Sequence, residues 1–283
     1  MEIFLWIIAI CVIIAVGVVI VDSNRFVVRE YTVTSDKLER DHDYIYISDL
    51  HCKSYGKNNC KLLKAVDGIS AEAILLGGDM VTSKPGKEID TPVDLVAELC
   101  RRKPVYYSEG NHEQKIKLFT DRFGDMYERY VKKLDAIPIK ILDNEKVVLD
   151  DIDLYALSIP RIYYERKQKL NFKSEDVKRF LGEPDGERFS LLLAHNPEYF
   201  KGYAEWKPDL VLSGHNHGGI ATLPFVGGVI SPRFKLFPHY DGGLFEEYGS
   251  KMILGRGIGS HTIPFRFLNP GELIVIHLKK TLK

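Results

Sequence analysis

Five short apolar runs in this sequence each end in glycine or in polar side chains. The runs are Tyr44–Ile47, Ala73–Leu76, Pro104–Tyr107, Leu191–Ala194 and Leu210–Leu212. A run bounded in this way is typical of a buried strand followed by a functional loop. Several of the segments between the runs have helical patterns, and strands that alternate with helices indicate a largely parallel sheet with covered faces. The sequence therefore predicts an α/β fold.

Three helices are predicted in the first half of the chain. Two of them are Lys61–Ile69 and Val93–Cys100. The third is longer, because apolar residues recur every three to four positions from Ile116 to Leu134. That period is typical of one amphipathic helix that packs a single face on a sheet.

Strand-like runs dominate the second half, with few helices between them. They are Ile139–Leu142, Val147–Leu149, Leu154–Leu157, Met252–Leu254 and Leu273–Leu278. Near the start of the chain, Arg25–Thr34 alternates as an edge strand does. We therefore expect a second sheet packed on the first. The sequence has no internal repeat and no Pro/Ser-rich linker at which to divide this body.

Residues that can bind metals, with glycines beside some of them, follow each of the first five apolar runs. They are Asp49 and His51, then Gly77, Gly78 and Asp79, then Gly110, Asn111 and His112, then His195, then His215 and His217. Side chains beyond the carboxyl ends of strands converge in one crevice, and the glycines allow close backbone approach. Each residue alone has a structural explanation, such as a helix cap or a buried histidine. Together they would be costly to bury unless a cation compensated them, so the set predicts a metal centre.

The same residues resemble the motif blocks of the calcineurin-like metallophosphoesterases, in the order of that family. The blocks are Asp49-Leu50-His51, Gly78-Asp79, Gly110-Asn111-His112-Glu113, His195 and Gly214-His215-Asn216-His217. Later glycine and Phe-Arg-Phe segments are similar to the bacterial, membrane-anchored YkuE/YaeI-like branch. The resemblance implies a four-layer αββα sandwich preceded by one transmembrane helix.

The resemblance also implies a ligand set for two divalent metal ions. It places Asp49, His51, Asp79 and His217 on one ion, and Asp79, Asn111, His195 and His215 on the other, with Asp79 as the bridge. Mixed imidazole and oxygen ligands suit Mn, Fe or Zn better than Ca, and among these we favour Mn. Two such cations activate the attacking water, so no protein nucleophile is needed. His112 is assigned to the phosphoryl oxygens and to protonation of the leaving alkoxide.

An apolar stretch at the start of the chain is long enough to cross a membrane once. Ile3–Val21 carries no charged side chain, and a helix of that length spans about 28 Å at ~1.5 Å per residue. We expect a retained anchor at residues 1–24 and a catalytic domain at 25–283; a cleaved signal peptide is the alternative. Because Arg25, Arg29, Lys37 and Arg40 follow the stretch, the positive-inside rule puts the body on the cytoplasmic side.

The anchor favours a membrane-associated substrate. We expect a phosphodiester or pyrophosphate, for example in a nucleotide-linked lipid. The alternatives are phosphomonoesterase or cyclic-nucleotide phosphodiesterase activity, and a non-catalytic scaffold with the same fold. The apolar segment Leu223–Tyr240 could admit acyl chains or could be an ordinary buried hairpin. Arg256 and His261 are candidate substrate contacts.

Composition excludes some other classes of partner. Lys plus Arg and Asp plus Glu number 39 each, so there is no global positive field and no nucleic acid is expected. The four cysteines lack CxxC spacing, which favours free thiols; a Cys52–Cys60 disulfide is the alternative in an oxidising compartment. The sequence does not fix the oligomeric state.

Overall fold

A computed structural model describes residues 1–165, 170–219, 221–223, 227–230, 236–260 and 265–281. The helices are α1 Glu2–Asn24, α2 Cys60–Asp67, α3 Asp90–Cys100, α4 Asn111–Leu118, α5 Thr120–Phe123, α6 Met126–Leu134, α7 Ser174–Leu181 and α8 Phe200–Glu205. The first strands are β1 Phe26–Ser35, β2 His42–Ile47, β3 Ala73–Leu76, β4 Val105–Ser108, β5 Lys140–Leu142, β6 Glu145–Leu149 and β7 Ile152–Leu157. The remaining strands are β8 Phe189–Ala194, β9 Leu210–Ser213, β10 Ala221–Leu223, β11 Gly227–Ile230, β12 Gly243–Glu247, β13 Ser250–Leu254 and β14 Gly271–Lys280.

Two six-stranded sheets form the body in the described part of the chain. The first has the order β1-β14-β2-β3-β4-β5 and the second has the order β12-β13-β9-β8-β7-β6. The pairs β14/β2, β12/β13 and β6/β7 are antiparallel, and the other pairs within these sheets are parallel. All five predicted functional strands are present, and β1 is an edge strand as expected. The expected grouping of strands was wrong in two ways. Strands β5 and β14 belong to the first sheet, and β8 and β9, which were expected beside β2, β3 and β4, belong to the second sheet.

Three apolar clusters divide the body into four layers. One cluster packs α2 to α6 on the outer face of the first sheet, the second lies between the sheets, and the third packs α7 and α8 on the second sheet. Strand β8 shows how one sequence supplies two clusters: Leu191 and Leu193 lie between the sheets, whereas Leu192 lies under the helices. Alternate side chains of a strand point to opposite faces. The expected αββα sandwich is confirmed.

The predicted single helix from Ile116 to Leu134 was wrong, because the structure breaks it into α4, α5 and α6. Phe119 leaves the helical region at φ −108° and ψ 62°. Gly124 then takes a left-handed φ of 59°. The buried face survives the breaks, since Ile116 and Tyr130 are fully buried. The apolar period therefore predicted which face is buried. It did not predict that the helical backbone is interrupted.

Helix α1 is separate from these layers. Its 23 residues have a mean hydropathy of 3.3 in the most apolar window, and none of that window is buried in the body. By length and composition α1 can span a membrane, which supports membrane anchoring. Its last turn differs from the rest, because Asp22 is buried against the body.

The break at Gly124 gives a test of this backbone. Gly124→Ala should lower the free energy of unfolding by about 1–3 kcal/mol, because φ 59° with ψ −135° is a combination open essentially to glycine alone, even where space is open. Gly124→Asn should cost about as much, since asparagine tolerates the αL region but not this combination of φ and ψ. Urea titration of both variants checks this, and a stabilised Gly124→Ala would show that the chain accepts a continuous helix here.

Candidate metal centre

The two sheets bring the sequence-predicted residues together at the carboxyl ends of five strands. Asp49 and His51 follow β2, Asp79 follows β3, and Asn111 and His112 follow β4. From the second sheet, His195 follows β8, and His215 and His217 follow β9. The strands β2, β3 and β4 are neighbours in one sheet, and β8 and β9 are neighbours in the other. The site therefore lies where the edges of both sheets meet.

One group of ligand atoms comes from Asp49, His51 and His217, all within 4.8 Å of one another. The His51 and His217 Nε2 atoms are 3.0 Å apart. His217 Nε2 is also 3.3 Å from Asp49 Oδ1. All three residues are buried. This group matches three of the four ligands expected for the first ion.

A second group comes from Asp79, His195 and His215, again within 4.8 Å. His195 Nδ1 lies 2.7 Å from the Gly77 carbonyl oxygen, so Nδ1 carries the proton and donates it there. In the neutral ring that binds a metal, the lone pair is then on Nε2, which lies 3.1 Å from Asp79 Oδ2. Asn111 Oδ1 is buried and has no hydrogen-bond partner among the residues that the structure describes. An orphaned acceptor beside two imidazoles and a carboxylate fits a divalent cation.

Asp79 lies between the two groups. Its Oδ2 is 3.1 Å from His195 Nε2 in the second group and 3.9 Å from His51 Nε2 in the first. A carboxylate shared in this way can offset the repulsion between two cations about 3.5–4 Å apart. The geometry therefore fits the bridging position expected for Asp79.

The titratable groups at the site have pKa values that are shifted from their ordinary values. Burial raises the pKa of Asp49 to about 6, with the Asp79 charge adding to it. Burial also acts upward on Asp79, but His195 and His112 hold its pKa well below the ordinary range. Burial lowers the pKa of His195, yet Asp79 and Asp49 outweigh it and raise the pKa to about 10. The buried carboxylates and imidazoles thus balance one another's charge. A divalent cation bound between them would balance the charge of the carboxylates instead.

His112 has its ring oriented by the loop after β3. The Ser83 backbone N–H donates to His112 Nδ1 at 2.8 Å, so a neutral ring carries its proton on Nε2. That Nε2 lies 4.0 Å from Asp79 Oδ2, facing the ligand groups. His112, His51 and Asp79 also have ligand atoms within 4.8 Å of one another. The geometry therefore equips His112 Nε2 to donate a proton, because Nδ1 already accepts from the Ser83 N–H.

Several candidate ligands have left-handed backbone conformations. They are Asp49, His51, Asp79, His215 and His217, with φ between 50° and 70°. Hydrogen bonds between loops hold these conformations: the Asp49 N–H donates to the Gly78 oxygen at 2.9 Å, and the His51 N–H to the Asp79 oxygen at 3.0 Å. Such strain persists only where surrounding structure over-determines it. As predicted, glycine permits close approach, because a Cβ on Gly110 would collide with the Asp79 carboxylate.

Glu113 organises the site in a way that the sequence analysis missed. Its fully buried carboxylate accepts hydrogen bonds from the N–H groups of Asp79, Met80, Val81 and Gly110, at 2.9, 2.8, 3.2 and 3.0 Å. Burial, with the Asp79 charge, raises the Glu113 pKa to about 7. The Gly-Asn-His-Glu block contained this residue, but only the fold shows that Glu113 reaches back to the loop after β3.

The candidate substrate residues are placed less completely. The Arg256 side chain packs against Gly218, next to His217, and its Nε lies 3.7 Å from Glu272 Oε1. His261 lies outside the described residues, as do 224–226 and 231–235 of the Leu223–Tyr240 segment. Within that segment β10 and β11 pair as an antiparallel hairpin. Leu236 and Phe237 are 63% and 61% exposed, so this part is not a buried hairpin.

This fold and the two adjacent ligand groups define an αββα protein whose site can hold divalent metal ions. The sequence profile of the calcineurin-like phosphoesterases matches residues 44–219, which contain every candidate ligand. The chain belongs to the calcineurin-like phosphoesterase family.

Several relatives carry the same family name. An uncharacterized metallophosphoesterase of Helicobacter pylori (strain J99) is 29% identical over 255 residues, covering 89% of this chain and 63% of the relative. The uncharacterized metallophosphoesterase YkuE of Bacillus subtilis is 36% identical over 110 residues, covering 36% of this chain and 38% of YkuE. The UDP-2,3-diacylglucosamine pyrophosphatase LpxG of Chlamydia muridarum is 22% identical over 256 residues, covering 82% of this chain and 72% of LpxG. The chain thus spans 63% of the length of the Helicobacter relative.

The network around Glu113 gives a test of the site. Glu113→Gln should lower the free energy of unfolding by about 2–4 kcal/mol, because the amide NH₂ faces backbone donors that then lose their acceptor. The bound metal, measured by atomic emission, should fall with it. Glu109→Gln is the matched control. This neighbouring buried carboxylate accepts from the Tyr127 hydroxyl at 2.8 Å, and in the described part of the chain it is not seen to accept from the backbone of the loop after β3. Equal metal content in both variants would contradict the positioning role.

Proposed function

We propose that this protein hydrolyses phosphoester bonds with two divalent metal ions, in a catalytic domain at residues 25–283. The observation that carries the proposal is the position of the Asp79 carboxylate between Asp49, His51 and His217 on one side and His195 and His215 on the other. With Asn111 these are the proposed ligands, and Mn is the favoured ion, with Fe or Zn as alternatives. The family match supports the assignment.

The proposed chemistry divides between the ions and the chain. When bound, the ions lower the pKa of an attacking water and neutralise charge on the phosphoryl oxygens. Asp49, Asp79 and the imidazoles would hold the ions in place. The loops that carry these residues keep their ligand atoms directed into the site. His112 presents Nε2–H, fixed by the Ser83 N–H on its other nitrogen, and donates that proton toward a phosphoryl or leaving oxygen. No protein nucleophile takes part.

The proposed substrate is a phosphodiester or pyrophosphate in a membrane-associated molecule, such as a nucleotide-linked lipid. Helix α1 supports this, because it is long and apolar enough to span a membrane. The name of the LpxG relative, a pyrophosphatase of a diacylated sugar nucleotide, is consistent with that class. Two alternatives, phosphomonoesterase activity and a non-catalytic scaffold, are separated from it by the next experiment. Cyclic-nucleotide phosphodiesterase activity is a third alternative and belongs to the same diesterase outcome.

The full chain in detergent, loaded with Mn, should release nitrophenol from bis-p-nitrophenyl phosphate faster than from p-nitrophenyl phosphate. Asp79→Asn should abolish this release, because the bridging ligand loses its charge, and should lower the bound metal in the same sample. Release from the monoester alone would make the protein a phosphomonoesterase. Two bound metal ions per chain with no release from either ester, or from UDP-diacylglucosamine, would support the scaffold.

Replacing His112 separates proton donation from metal binding. His112→Ala should lower kcat by about 10²–10⁴, the usual contribution of a general acid, while the metal content stays at that of the unchanged protein. His277→Ala is the matched control, because His277 pairs with Asp43 on β2, away from the site. Loss of metal from the His112 variant would show instead that His112 is a ligand.

We also propose that α1, residues 1–24, is a single-pass anchor and that the catalytic domain faces the cytoplasm, as the Lys and Arg residues after α1 favour. Cys60 is exposed on the body and reports this side. A membrane-impermeant maleimide should label Cys60 in inverted membrane vesicles and leave it unlabelled in right-side-out vesicles, with Cys60→Ser as the control. The reverse pattern would place the domain outside.

A further inference from the structure

The end of α1 is hydrogen-bonded to a segment near the other end of the chain, Arg266–Asn269. The Arg266 backbone N–H donates to Ser23 Oγ at 3.0 Å, and the Asn269 N–H donates to Asp22 Oδ2 at 3.1 Å. Lys53 Nζ donates to the Ser23 carbonyl oxygen. Since Arg25 alone separates α1 from β1, the anchor joins the body without a flexible linker.

The same segment holds the loop that carries His217. Asn269 Nδ2 donates to the carbonyl oxygens of His217 and Gly219, both at 2.7 Å. The buried Arg266 guanidinium donates to the carbonyl oxygens of Arg256 and Gly257 at 2.9 and 3.0 Å, and its Nη2 lies 3.4 Å from His217 Nδ1. One short segment therefore lies between the end of the anchor and a candidate metal ligand.

Exposed apolar side chains surround this junction. They are Leu223, Leu236, Phe237, Phe265 and Leu268, each at least 40% exposed, and we call them the anchor-side surface. Backbone contacts join the pieces that carry them. The Thr222 N–H donates to the Phe267 oxygen at 3.0 Å, and the Phe237 N–H donates to the Val229 oxygen at 2.9 Å. Because β10 and β11 are paired, the backbone segments that carry these side chains lie next to one another.

Part of the anchor-side surface extends back along the anchor. A groove beside α1 is lined by Gly17, Val18 and Val21 of the helix and by Leu268 and Pro270 of the body. Gly17 precedes Asp22 by five residues, which is about 7 Å along a helix at ~1.5 Å per residue. Leu268 therefore reaches the level of the apolar part of α1, where a spanning helix is surrounded by lipid.

We propose that the anchor-side surface lies in the lipid bilayer and fixes the catalytic domain on the membrane face. An apolar patch continuous with a membrane helix and bordered by cationic groups is suited to the boundary between acyl chains and headgroups. Arg25 and Lys53 supply those groups: the half-exposed Arg25 side chain is ion-paired with Asp22 at 2.8 Å, and the partly buried Lys53 ammonium donates to the Ser23 carbonyl oxygen. The partner is the bilayer itself.

This placement sets the depth of the metal centre. The His217 loop is one hydrogen-bonded segment away from the surface that touches lipid. A phosphate at headgroup level would then reach the site without leaving the membrane, a consequence that rests on the proposed function. Membrane contact itself does not depend on turnover.

The test uses the full chain in phosphatidylcholine/phosphatidylglycerol vesicles, with its four cysteines replaced by serine and metal content checked. Leu268→Cys and Phe237→Cys would each carry an environment-sensitive fluorophore, and vesicles with nitroxide-labelled lipid would report contact. Val148→Cys is the matched control, because Val148 is 53% exposed on β6, at the edge of the second sheet opposite β12.

We expect the nitroxide lipid to lower the fluorescence at positions 268 and 237 by about twofold or more, with the label buried near the acyl boundary, and to leave position 148 unchanged. Quenching no greater than at position 148, at either of the two test positions, would overturn the proposal. Because the readout needs no substrate, failure of the proposed function would leave this result unaffected, and an inactive protein could still show membrane contact.

Discussion

The fixed position of the Asp79 carboxylate is the constraint on which the rest of the site depends. Glu113 accepts from the Asp79 N–H, and the His112 N–H at the start of α4 donates to Asp79 Oδ1 at 2.7 Å. These bonds place two carboxylates side by side in the interior, together with Asp49. Burying like charges is costly, and burial together with the Asp79 charge raises the pKa of Glu113. Two divalent cations would offset it, so metal binding and stability of the folded state should be linked.

The strained loops explain why both sheets are needed. Asp49 and Asp79 take left-handed φ values in the loops after β2 and β3. Their carboxylates contact the His215 N–H and His195 Nε2, which the second sheet supplies. Each left-handed residue costs about 1 kcal/mol or more. The cost is tolerated because each loop is tied to another: the loop after β2 to the loop after β3, and the His215 N–H to Asp49 Oδ1 at 3.0 Å. Without one sheet, the loops of the other would lose the contacts that hold their left-handed conformations.

Local patterns predicted the strands and the ligand blocks, because burial and turn chemistry act over a few neighbouring residues. Strand order was less accessible: β14 has the same apolar pattern as the strands of either sheet, and only packing inserts it between β1 and β2. The roles of Ser83 and Glu113 were missed because they act on residues about thirty positions away. The predicted long helix was wrong because its period is set by the buried face, whereas the non-helical conformations of Phe119 and Gly124 end the backbone ladder.

The junction between α1 and the body has a physical reason beyond tethering. The last turn of a helix leaves carbonyl groups without partners, and these need donors where water is scarce. Lys53 supplies one to Ser23, and the buried Asp22 carboxylate accepts from Arg25 and from the Asn269 N–H. Satisfying the helix end in this way also removes rotational freedom between helix and body. A long flexible linker would let the catalytic domain sample many orientations, and a substrate held in the bilayer would meet the site rarely. A fixed junction makes orientation a property of the fold, so the entropy of aligning substrate and site is lost on folding and not at each encounter.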